Sequence, residues 1–164
     1  VFERTLTGIR RTIDALETVR AAIADRDSAE STVRLIVENA LQCAVTAFQR
    51  YAEALYARWP SVSKPRRNAF QSLGEGTDLW RAATGKDYAD YVGADDMKIL
   101  KRGIQQRHLL AHTQGLVDQD YISRSGDSSY RLGQRIVVRE AAVRDVVDSI
   151  EKLATAMRRE LPPD

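Results

Sequence analysis

The chain has 164 residues, with 25 lysines and arginines against 23 acids, a formal net charge of +2. A chain of this length can bury roughly 70% of its unfolded surface in one core, so it needs no staples. No apolar run approaches the ~18 residues of a membrane span, and no membrane partner is expected. The small net charge decides nothing about partners, because an electrostatic nucleic-acid footprint depends on local basic clusters.

Phe2, Leu6, Ile9, Ile13, Leu16 and Ile23 recur at steps of mostly three and four, which predicts an amphipathic helix with one apolar seam. "ADRDSAEST" breaks the pattern, and Asp27 or Ser28 can cap the next helix. That second, long helix is predicted from about Ser28 to Trp59. It is apolar around most of its circumference (Val33, Leu35, Val37, Leu41, Val45, Phe48, Leu55), as expected at the centre of a bundle. Cys43 lies inside this pattern and reads as a small buried hydrophobe. As the sole cysteine it excludes a disulfide framework and a cysteine-based zinc site, and it suits a reducing, cytoplasmic setting.

Pro60 ends the long helix and opens the Pro- and Ser-rich loop "PSVSKPRRN". Gly74, Gly76, Gly85 and Gly93 then divide the chain into short pieces, with a short helix predicted around Asp78 to Ala83. A phosphate loop at Gly74 and Gly76 is a poor reading, since no Lys-Ser/Thr pair comes after it and no strand precedes. Asp95 or Asp96 can cap a helix running to about His112, with Met97, Leu100, Ile104 and Ala111 on one stripe and Leu109 and Leu110 off it. Gly115 stops it. "SGDSS" is a turn, and the β-branched "YRLGQRIVV" admits a small hairpin near residues 121–138. Val143, Val146, Val147, Ile150, Leu153, Ala154 and Met157 mark a final helix. The fold expected is all-α, an antiparallel bundle of four to five main helices in a single domain over residues 1–164. The chain starts at Val1 without Met, and it is expected to be the excised domain of a longer protein.

There are two basic clusters. Lys64, Arg66 and Arg67, taken alone, read as a solvated face. The second comprises Lys98, Lys101, Arg102 and Arg107, and here Lys101 and Arg102 are the candidate substrate-binding residues. Both histidines of the chain, His108 and His112, come directly after in "QQRHLLAHTQG". Their i, i+4 spacing would let two imidazoles share a zinc ion. Zinc needs a third protein ligand, no further histidine exists, and Leu109 stands where the zinc-protease helix carries glutamate, so no metal or other cofactor is expected. Phosphate chemistry fits better. Histidine titrates near neutral pH and can move a proton, arginine offers a fixed fork of donors to a phosphate, and RNA brings its own nucleophile, the 2′-hydroxyl. A general base and a phosphate-holding cation suffice for slow transesterification.

"RHLLAH" resembles the signature of the HEPN superfamily: an arginine, usually a polar residue, three more residues and a histidine, carried on a late helix of an all-helical bundle. The downstream segment, "HTQGLVDQDYI", is similar to the one after the motif in many bacterial members. The resemblance implies a metal-independent endoribonuclease in which two protomers bring their motif helices together into one composite cleft. On that basis Arg107 would bind and polarise the scissile phosphate, His112 would transfer protons, and His108 would orient the site or the RNA. It further implies RNA and a homodimeric copy as partners, and an antitoxin or other domains of a longer chain. The setting it implies is a toxin or anti-phage effector. The family also has inactive members, so the competing expectation is a non-catalytic dimerisation, adaptor or nucleotide-binding module. A helix over residues 95–112 that faces its symmetry mate, with Arg107 and His112 lining an open basic cleft, favours the enzyme, and histidines sealed in a monomer core oppose it.

Overall fold

The first apolar seam folds as two helices. In the computed structural model, which describes residues 1–60, 62 and 64–161, α1 (Phe2–Asp14) and α2 (Leu16–Ala22) are divided at Ala15. The Ala15 N–H still reaches the carbonyls of Arg11 and Thr12, so the break is a shift in hydrogen bonding and the chain stays coiled. Leu6, Ile9, Ile13 and Leu16 nevertheless all reach the core.

The long helix α3 (Arg26–Tyr56) starts earlier than expected, because Asp25 is its cap: its carboxylate accepts the Ser28 N–H at 2.7 Å. It is also less central than its composition suggests. Leu35 is 60% exposed and Cys43 is exposed, correcting the expectation of a buried thiol. The inward line is Val33, Val37, Leu41, Val45, Phe48, Ala52 and Leu55, and Cys43 points away from it.

A 3-10 turn (Ala69–Gln71) leads into α4 (Leu73–Thr84), which absorbs Gly74 and Gly76 and is longer than the short helix expected there. The next helix, α5 (Tyr88–His112), begins well before Asp95. Asp87 and Asp90 form a reciprocal capping box at its start. It is broken at Gly93, whose φ of 79° and ψ of 178° lie outside the helical region and are open to glycine. Asp95 and Asp96 therefore sit in the first turn after this break.

After α5 comes α6 (Gln119–Ser125), capped by Asp118, whose side chain accepts the Tyr121 N–H at 2.7 Å. This helix occupies the first part of the region where a hairpin was expected, so that expectation is corrected. Among the described residues there is no strand. One isolated antiparallel bridge joins Leu116 to Arg135, and the extended run there buries Ile136 and Val138. The β-branched residues found an extended conformation with one rung of pairing.

The last helix, α7 (Glu140–Arg159), buries Val143, Val146, Val147, Ile150, Leu153 and Met157 as its spacing predicts. Side-chain pairs give the helix directions. Arg10 meets Asp148 and Glu151 while Arg158 meets Glu3, so α1 and α7 run antiparallel. Asp96 bonds Ser149 and Lys152, and a Cβ at Gly103 would lie 2.6 Å from Val146, so α5 and α7 do too. Phe2 stacks on Tyr51, and Phe48 meets Tyr88 edge-on, setting α3 against both α1 and α5. The result is an antiparallel bundle of α1, α3, α5 and α7, all-α as expected. No helix among the described residues is long and apolar enough to cross a membrane.

Candidate functional site

The C-terminal part of α5 carries the motif. Its buried face winds around the helix more than the predicted stripe does: Leu100, Gly103, Ile104, Gln106 and Leu109 point inward, while Ala111 is exposed. Leu109, expected off the stripe, is 1% exposed. This shift leaves Arg107 half-buried between the inward residues, and turns His108 and His112 outward. The helix ends just past the motif. Thr113 donates from Oγ1 to the carbonyls of Leu109 (3.0 Å) and Leu116 (2.7 Å), and Gly115, at φ 81°, sends its N–H back to Leu109 at 3.0 Å.

Arg107 opens into a cleft of about 310 Å³ walled by α5, α6 and the segment before α4; its charged lining is Arg66, Arg67, Arg107, His108, Asp120 and Arg124. The same residue also walls a recess of about 260 Å³ on the other side, against Thr46, Gln49, Arg50 and Glu53 of α3. Asn68 and Gln71 line both. Arg107 is thus the partition between two polar hollows. Its Nε is buried and has no hydrogen-bond partner among the described residues. Many other arginines are paired: Arg10, Arg20, Arg81, Arg135 and Arg144 each lie within 3.0 Å of a carboxylate oxygen.

Within the cleft the cations differ. Arg66 is held by the Glu75 carboxylate through Nε at 2.7 Å and through a second nitrogen. Arg124 stands 3.5 Å from Asp120. Arg67 and Arg107 make no ion pair among the described residues.

The two imidazoles lie side by side, ring centroids 4.6 Å apart and planes tilted by 49°. Both are exposed, so they are not sealed in the core. His108 lines the cleft and His112 does not. Lys101 and Arg102, the candidate substrate-binding residues, also fall outside its lining. Lys101 is exposed, and Arg102 turns toward Asp127 at 3.7 Å. Asp127 is buried and accepts from Tyr121 Oη at 2.9 Å, from the Ser129 N–H at 3.0 Å and from the Ser129 hydroxyl. Burial pushes its carboxyl upward, but the bonds from Ser129 and Tyr121 and the nearby Arg102 outweigh this and hold it below the usual carboxylate range. Arg102 therefore faces the loop after α6 and lies outside the cleft lining.

Reading the sequence alone missed Arg67, Arg124, Asn68 and Gln71. The "PRRN" run was visible as a cluster, but only the fold of the loop sets it against α5. Nothing in the spacing of Arg124 points there. Among the described residues no three His, Cys, Asp or Glu side chains gather as a metal-ligand set. No family model, curated protein or solved structure matches the chain.

Proposed function

We propose that this chain is a metal-independent endoribonuclease of the HEPN type, acting as a homodimer on single-stranded RNA. The observation that carries the reading is Arg107: a half-buried guanidinium facing an open polar cleft, its Nε without a partner among the described residues, beside an exposed imidazole. Arg107 makes no ion pair among the described residues, and a phosphate oxygen in the cleft would accept charge-assisted bonds from its guanidinium.

The reaction proposed is transesterification. The 2′-oxygen attacks the adjacent phosphorus and the bond to the 5′-oxygen breaks, leaving a 2′,3′-cyclic phosphate and a 5′-hydroxyl. The 2′-hydroxyl proton passes to a base, and an acid returns one to the 5′-oxygen. Arg107 holds the phosphate and stabilises charge on its oxygens. His112 transfers protons across the composite dimer site, and His108 at the cleft edge orients the strand. The cellular role proposed, on the family resemblance, is a toxin or anti-phage effector in the cytoplasm, restrained by an antitoxin or other domains.

The test is RNA cleavage in EDTA by wild type, Arg107→Ala and His112→Ala. Wild-type cleavage lost in both variants supports the reading. Cleavage retained in both variants refutes it, as does a folded wild type that cuts no RNA. In the latter case a stable dimer would point to the non-catalytic dimerisation module.

A further inference from the structure

We propose that Arg67 and Arg124 form a second phosphodiester subsite of the Arg107 cleft, so that the site grips two successive phosphates of a single RNA strand. The inference rests on the RNA reading of Arg107 and adds residues that the motif does not contain.

Charge makes the case. Arg66 in the cleft is neutralised by Glu75, and the one carboxylate lining the cleft among the described residues, Asp120, faces Arg124 at 3.5 Å. That leaves Arg67 and Arg107 as two cations without a counter-charge among the described residues of one cleft. A phosphodiester carries a single negative charge. One diester on Arg107 would leave Arg67 uncompensated, and a second diester one nucleotide along would match it. Arg124, only loosely paired and 65% exposed, can turn from Asp120 to the same phosphate.

Shape and polarity agree with a single strand. Two polar hollows, of about 310 Å³ and about 260 Å³, lie on either side of Arg107, room for a single strand to pass over it. Side-chain amides of Asn68 and Gln71 line both hollows and Gln105 lines the larger one, giving donors and acceptors suited to unpaired base edges.

Binding of 2′-O-methyl RNA, which cannot be cleaved, tests the subsite separately from catalysis. Oligonucleotides with one, two and nine phosphodiesters are titrated against wild type, Arg67→Ala and Arg11→Ala, an exposed arginine on α1 that controls for net charge. In wild type and Arg11→Ala the second phosphodiester should raise affinity about tenfold, the size of one charge-assisted contact. In Arg67→Ala that gain should vanish, and the salt dependence for the longest strand should fall by about 0.7 of a log unit per log unit. The proposal is overturned if Arg67→Ala keeps the gain, if Arg11→Ala loses as much, or if a 5′-phosphorylated mononucleotide binds as tightly as the two-diester strand. If the binding pattern holds while unmodified RNA is never cut, the subsite stands and the nuclease reading falls.

Discussion

Arg135 stands 3.0 Å from the carboxylate of Glu38, although 97 residues separate them in sequence, and its other terminal nitrogen donates to the Gln114 carbonyl at 2.8 Å. One guanidinium thus ties α3 to the turn that ends the motif helix. Glu38 is buried, while the Arg135 side chain is 39% exposed. Removing Arg135 strands a carboxylate in the core, whereas neutralising Glu38 leaves an arginine that water can reach. Arg135→Ala should therefore cost more than Glu38→Gln, about 1–3 kcal/mol after allowance for its exposure. Urea unfolding of the two variants checks the order, and equal losses would show that the pair contributes no buried charge.

The close approach of α5 and α7 predicts a second effect. A methyl group at Gly103 would lie 2.6 Å from a Val146 methyl in a buried contact. Gly103→Ala gains about 1 kcal/mol of helix propensity but should lose about 1–3 kcal/mol to overpacking, for a net destabilisation. Adding Val146→Ala should recover part of it. A Gly103→Ala protein with a raised melting temperature would mean that the helices shift apart freely.

Acid stability should depend on Asp96. The bond from Ser149 chiefly lowers its pKa, burial opposes this, and Lys152 lowers it further, so the carboxyl lies below the ordinary range. Because the folded value lies below the unfolded one, this stabilisation is complete above the unfolded pKa. It is lost as pH falls from the ordinary carboxylate range through the folded value. Asp96→Asn should be less stable at pH 7 and show a shallower decline across that range. Stability curves parallel to wild type would contradict it.

Much of this architecture could be read from residue order, and the failures have physical causes. The seams of α1 and α7 were legible because one face of each is buried along its whole length. The motif helix was legible in position but not in orientation: its burial winds from Leu100 to Leu109, because α7, α3 and α6 all pack against it, and a straight stripe cannot represent that. The hairpin was misread because Asp118 caps a seven-residue helix too short to show periodicity. Arg107 and His108 stood out through their neighbours in sequence. Arg67 and Arg124 did not, since their proximity to Arg107 arises only when the loop and α6 fold over it.

Mixing experiments address the division of labour across two copies. If the chain is the proposed dimeric nuclease, Arg107→Ala and His112→Ala proteins, each expected to be inactive alone, should regain part of the wild-type rate when combined, the arginine of one copy working with the histidine of the other. Cleavage by the mixture that stays at the level of either variant would place both groups in the same half of the site.

His112 lies outside the cleft that holds Arg107, while His108 lines it. This has a kinetic signature. If the proton-moving imidazole must come from another molecule, initial rates in dilute solution should rise with the square of protein concentration and become linear only once pairs are saturated. If His108 alone can serve, the order is one at every dilution. A plot of log rate against log concentration therefore reports whether a second copy takes part in the chemistry.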